Sequence, residues 1–260
     1  MIPFANTGIA WLAVTLIYLA VQPAWGYFAR WSATWSGRPG VWAASVRGAR
    51  CVPTLAVAWR LVYCVGAPYL ALLLGVADAR RLGLAGLPLW PQLPLGMVAG
   101  LAGVGLLAWS WGRVAAVSYR RGAHLPPFAA AWQALRSPWG WASFVAEVLC
   151  LQMSWAFVRG AAIRFAGLYA GVFLGLALLG ATWLLRPGRL EGIGDAEVRA
   201  GTLLTAGLAL VTSLVFLYAE NLWLCGLVHA LGWLAAMAAA RRAYARAGRS
   251  QRLAQFDGLD

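Results

Sequence analysis

The chain has 260 residues, of which 62% are hydrophobic and only 11% charged, and its mean hydropathy is +0.70. Soluble domains carry about a quarter charged residues, so this composition excludes an ordinary soluble domain and points to a polytopic membrane protein. All 21 basic residues are Arg, against eight acids, for a net charge of +13; they sit in short gaps between apolar runs and in the C-terminal stretch, where topology signals belong, which argues against a nucleic-acid partner.

About twenty predominantly apolar residues cross a bilayer. On that criterion seven spans are expected, at 8–29, 53–76, 92–112, 141–163, 165–185, 201–218 and 221–240. The fold class is therefore an all-α polytopic transmembrane helical bundle of about seven spans (six to eight), one integral membrane domain over 1–260 with a basic tail at 241–260. No basic region precedes the first apolar run, and the run is long, so it reads as an uncleaved span rather than a signal peptide. Only Arg159, Gly160 and Arg164 divide the fourth span from the fifth, and only Glu220 and Asn221 divide the sixth from the seventh. Both pairs read as tight helical hairpins.

The first, third and fifth gaps and the tail hold most of the Arg residues. Seven spans with the N-terminus outside and the C-terminus in the cytoplasm satisfy the positive-inside rule. The tail from Arg241 to Phe256 has Arg at helical spacing and reads as a solvated extension of the last span or as a helix on an anionic membrane surface. Several of the 16 Trp, among them Trp90, Trp139 and Trp141, fall near predicted span ends, as interfacial belts require. Cys51, Cys64, Cys150 and Cys225 share no metal-site spacing, and three of them lie in apolar runs as small buried hydrophobes.

An ionisable group inside a span is costly and so is a functional candidate. Those present are Arg60, Glu147, Arg159, Arg164, Glu220 and His229. Arg60 is placed to snorkel. Glu147 serves either as a proton acceptor or as an interhelical hydrogen-bonding group, and His229 reads as the latter or as a catalyst. Glu220 or Asn221 is placed to accept from free N–H groups at the start of the seventh span.

The segment "AENLWLCGLVHALGW" (219–233) resembles the last motif of the CPBP family, membrane peptidases related to CAAX prenyl endopeptidases and bacteriocin-processing (Abi) proteins. That motif reads roughly T-G-N-L-W-x-x-I-x-x-H-A-x-W-N, and Asn221, Leu222, Trp223, Gly226, His229 and Ala230 fit it. Upstream, "SWAFVRG" (154–160) sets Arg159 and Gly160 on the end of the family's E-E-x-x-x-R-G, with Ser154 and Trp155 at the two glutamates. In "LGATWLLRPG" the F-x-x-x-H motif falls with Leu179 at the Phe and Trp183 at the histidine. The likeness covers about 80–240, the expected CPBP-like core.

In the family the glutamates and histidines are thought to activate a water that attacks a peptide bond near the cytoplasmic face, chemistry that needs a base and oxyanion donors. Here His229 alone survives of four such positions. The resemblance therefore implies a pseudoenzyme, proteolytically inactive, with a binding or scaffold role in the membrane. Its partners would be membrane lipid and a hydrophobic peptide or another membrane protein. No metal or other cofactor is expected, since zinc chemistry wants about three protein ligands. The alternatives are an intramembrane protease with a rearranged site of Glu147, Glu220 and His229, and a small transporter or membrane-complex subunit.

Overall fold

The computed structural model describes residues 8–21, 60–84, 93–123, 125–185 and 194–256, with side chains as far as Arg249. Every regular element among them is a helix. In chain order these are α1 (Gly8–Val21), α2 (Val62–Leu73), α3 (Ala79–Leu82), α4 (Leu93–Arg120), α5 (Ala129–Leu135), α6 (Gly140–Ala166), α7 (Leu168–Leu185), α8 (Ala196–Ala219) and α9 (Leu222–Phe256).

Five of them, α4, α6, α7, α8 and α9, are long and apolar enough to cross a membrane, which makes this a membrane protein. They correspond to the last five expected spans. α1 and α2 are shorter apolar helices of the first two, whose remaining residues, with Cys51 and Trp90, lie outside the described set, as does 257–260 of the tail. α9 runs unbroken for 35 residues, about 50 Å at 1.5 Å per residue. That exceeds the roughly 30 Å of a hydrocarbon core, so the basic stretch from Arg241 continues the last span as helix.

The chain forms two compact units. The first contains α1, α2, α3, the part of α6 from Leu149 and α7. The second contains α4, α5, α6 up to Val148, α8 and α9.

In the first unit, α2 opens with a π-helical turn, Val62–Gly66. Pro68 follows at the start of the regular helix. A proline there lacks the N–H that would bond back one turn and crowds the carbonyl it displaces, and a wider turn accommodates both effects. The hairpin of α6 and α7 turns on a single residue, Gly167, at φ +79°, a left-handed conformation that glycine adopts without penalty. The expected hairpin is thus present but turns later than its charged residues suggested. Arg159 and Gly160 lie within α6, and Arg164 is two residues before its end. The return helix packs closely, since a Cβ on Gly175 would stand 2.9 Å from the Arg159 Cα.

The second unit rests on small residues. Helices in lipid gain nothing from hiding apolar surface from one another, so contact comes from close backbone approach. Gly96, Gly100 and Gly103 recur on one face of α4. A Cβ on them would stand 2.7 Å from Ala219 Cβ, 2.6 Å from Val228 Cγ2 and 2.5 Å from Val211 Cγ1. The opposite face, with Leu95, Val98, Leu101 and Leu106, is exposed as a lipid-facing surface must be. Gly232 of α9 meets Leu208 of α8 in the same way, at 2.7 Å. At the far end of α4, Tyr119 packs edge-on to Tyr244 of α9 with centroids 5.0 Å apart, and the Tyr244 hydroxyl donates to the Ala123 carbonyl.

This packing makes position-specific demands. Gly100→Val is expected to destabilise the protein by about 1–3 kcal/mol, the usual cost of overpacking. Gly105, on the same helix with nothing within 4 Å of an added Cβ, should accept Val within about 0.5 kcal/mol. Equilibrium unfolding of both variants in mixed detergent micelles measures the difference, and equal costs would show that the glycine stripe does not set the packing.

Candidate functional site

The first unit gathers the family-motif positions of α6 and α7. Ser154 is buried, and its Oγ accepts a hydrogen bond from the Tyr18 hydroxyl of α1 at 2.9 Å. Tyr18 stacks on Tyr63 of α2, with ring centroids 4.4 Å apart and 6° between planes. The Tyr63 hydroxyl donates to the Tyr18 carbonyl. Phe157, one turn after Ser154, meets Tyr18 edge-on at 5.4 Å and Trp11 at 6.1 Å. Trp155 is only 3% exposed and packs T-shaped on the half-buried Trp183 of α7, with centroids 6.1 Å apart.

Gly160 has a steric reason to be glycine. The ring of Trp11 lies over it, and a Cβ there would meet Cζ2 at 2.7 Å. Arg159 is buried, at 2% exposure. Two polar atoms of α1, Trp11 Nε1 and Thr15 Oγ1, are buried without a hydrogen-bond partner among the described residues. Trp11, Thr15 and Tyr18 follow i, i+4, i+7 spacing and are all buried, while Leu16 and Ile17 are exposed. That periodicity within an apolar run is the signal that identifies this face, and an inventory of ionisable groups passes over it.

A serine nucleophile needs a base within hydrogen-bond reach. The described residues of this unit contain no His and one carboxylate, Asp78. Asp78 is the N-cap of α3, where its Oδ1 accepts from the Arg80 N–H at 3.0 Å. The polar neighbour that Ser154 has is a phenol that donates to it. Among the described residues of this unit, the hydrogen bond orders the two hydroxyls and no His stands beside Ser154.

The second unit holds the remaining positions. Asn221 caps α9, its Oδ1 accepting from the Leu224 N–H at 3.0 Å, so of the two residues expected at the helix start the amide takes the role. Glu220 is the C-cap of α8 with φ 44°, and its N–H bonds the Phe216 carbonyl at 2.8 Å. His229 lies in α9 and is 1% exposed. The Cys225 thiol between them donates to the Thr212 carbonyl of α8 at 3.3 Å. Glu147 is half-buried in the first part of α6. Among the described residues no three of His, Cys, Asp and Glu come close enough to hold a metal, and Glu147, Glu220 and His229 therefore form no such group.

Two substitutions probe the first unit. Trp155→Ala should cost about 3–5 kcal/mol, the range for deleting a large buried aromatic. Tyr18→Phe should cost about 1–3 kcal/mol by leaving the Ser154 hydroxyl without its donor, and much of that should disappear in a Ser154→Ala background. A double-mutant cycle on unfolding measures the coupling, and strict additivity would mean that the Tyr18–Ser154 bond carries no weight.

No protein-family model matches the chain, and comparison with curated proteins and with solved structures finds no match. What the chain does has to be read from its own side chains.

Proposed function

We propose that this chain is a CPBP-like integral membrane protein that no longer cleaves peptides and works by binding in the membrane, as a scaffold for another membrane protein or a hydrophobic peptide segment. In the proposed orientation the N-terminus lies outside and the basic tail in the cytoplasm of a bacterial inner membrane. The observation that carries the reading is the indole pair of Trp155 and Trp183, packed ring on ring at 6.1 Å. The motif alignment puts a glutamate and a histidine of the family at these two positions. Neither indole takes a proton from water or binds a metal.

Ser154, aligned with the other glutamate, is held by Tyr18, and the described residues of its unit contain no imidazole and one carboxylate, Asp78, which caps α3. Loss of one member of a catalytic set usually costs several powers of ten in rate, and here three are replaced. The retained framework residues have packing roles. Gly160 admits Trp11, and Asn221 caps α9. They support a fold that persists after the chemistry has gone.

The test is hydrolysis by the full chain reconstituted in liposomes, offered prenylated C-terminal peptides and a mixed fluorogenic peptide pool. The expected result is no cleavage above empty liposomes, unchanged in His229→Ala and Glu147→Gln. Cleavage that disappears in either variant at unchanged expression and folding overturns the proposal, and would assign Glu147, Glu220 and His229 to a working peptidase site.

A further inference from the structure

The second unit has two unlike ends. α4 runs antiparallel to α8, with Gly96 beside Ala219 and Gly207 beside Leu107. Leu93 and the α8–α9 turn therefore share one end, where Glu220 is the charged residue among those described. The other end collects the last turns of α4, the 125–139 connection, the start of α8 and the extension of α9. Arg113, Arg120, Arg121, Arg136, Arg199, Arg241, Arg242, Arg246 and Arg249 lie there or beside it, against Asp195 and Glu197. Trp139 and Trp141, 78% and 57% exposed, stand where interfacial aromatics belong.

At this basic end a cleft of about 210 Å³ opens between the 126–136 segment and α9. It is smaller than the roughly 300–1,000 Å³ of whole-ligand pockets, a size for a headgroup rather than a complete lipid. Trp132, Gln133, Arg136 and Arg241 line it, with Phe128 and Met237 buried behind. The Arg241 guanidinium carbon lies 4.8 Å from the centre of the Trp132 ring, and that of Arg136 lies 5.8 Å from it. Stacking on one indole holds two cations in one small cleft and leaves their in-plane N–H donors for a ligand.

No carboxylate lines the cleft, and neither arginine has a carboxylate partner among the described residues. Glu197 of α8 stands at the start of α5, where its carboxylate accepts from the Ala130 N–H at 2.9 Å without lining the cleft. The indole Nε1 of Trp132 is buried without an acceptor among the described residues. The walls are fixed from beneath, because Phe128 is locked edge-on against Trp111 at 4.7 Å and keeps φ at 66°, a backbone state uncommon for a bulky residue.

We infer that this cleft binds a phosphate-bearing anion, Arg136 and Arg241 gripping its oxygens and Gln133 adding a donor, and that at this place in a membrane protein the anion is the headgroup of an anionic phospholipid. The site is independent of whether the chain cleaves peptides. The full chain, purified in dodecyl maltoside, is titrated with mixed micelles of dioleoylphosphatidylglycerol or of dioleoylphosphatidylcholine, and separately with inorganic phosphate, while thermal unfolding is followed. The anionic lipid is expected to raise Tm saturably and the zwitterionic lipid to leave it unchanged.

Arg136→Gln with Arg241→Gln should move the titration midpoint up by about tenfold or more, as for lost charge-assisted hydrogen bonds. Arg120→Gln with Arg121→Gln, which removes the same charge outside the cleft, should not. Gln133→Glu, an exposed position, sets a carboxylate beside the two guanidinium groups, should weaken the response to anionic lipid, and serves if the arginine pair fails to fold. A phosphate response with the same variant dependence upholds the phosphate site but assigns it to the free ion. Equal responses to both lipids, equal loss in the control pair, or full binding by Gln133→Glu overturns the inference.

Discussion

Close backbone approach at glycine is the constraint on which both units depend. Lipid tails are as apolar as leucine, so an apolar helix gains little by trading them for another helix unless the two fit more densely than lipid does. Gly96, Gly100 and Gly103 give α4 that density against Ala219, Val228 and Val211. Gly175 does the same for α7 against the backbone of α6 at Arg159. Gly160 accepts a ring rather than a backbone. Each contact fixes one helix against a neighbour at a defined height, and the side chains between them then have fixed partners.

Polar groups inside such a bundle need internal partners, because an unsatisfied one costs several kcal/mol in hydrocarbon. Thr182, Thr205 and Thr212 each donate back to a carbonyl of their own helix at 2.8 Å, which leaves the helix surface apolar. Asn221 and Cys225 act over the α8–α9 turn. Tyr18 and Ser154 satisfy one another between α1 and α6. These are the habits of structural polar groups. In the Tyr18–Ser154 pair one hydroxyl donates and the other accepts.

Much of the fold was legible in the sequence because bilayer thickness imposes a length on apolar runs. The expected spans at 92–112, 141–163, 165–185, 201–218 and 221–240 coincide with α4 and α6 to α9; α6, α7 and α8 end within five residues of the expected bounds, while α4 runs on to Arg120 and α9 to Phe256. Where they differ, charge misled. Arg159 and Arg164 suggested the hairpin corner, yet the corner is Gly167, because a turn of one residue is decided by backbone conformation. α4 likewise runs past 112 to Arg120, since long Arg side chains reach the interface from within a helix.

The candidate site was legible only in part, for a related reason. Listing ionisable residues finds His229 and Glu147 and passes over Tyr18, Trp11 and Trp132, whose contributions come from partners distant in sequence. Tyr18 meets Ser154 across 136 positions, and Trp132 meets Arg241 across α6, α7 and α8. Periodicity on α1 marks the first face, while nothing local marks the second.

Trp132 also shows how the two sources of charge at the basic end differ. An arginine in a solvated tail is neutralised by mobile counterions and costs little wherever it stands. Arg241 is different, because the indole holds it and the 126–136 segment faces it. A second cation on the same ring adds repulsion that water screens only in part. Such a pair is stable alone at the mouth of a wet cleft, and it becomes favourable when an anion replaces the water. In an interface rich in phosphate that replacement needs no diffusion of a scarce ligand. On the proposed lipid site, the bilayer around α4, α8 and α9 would supply the counter-charge for this basic end.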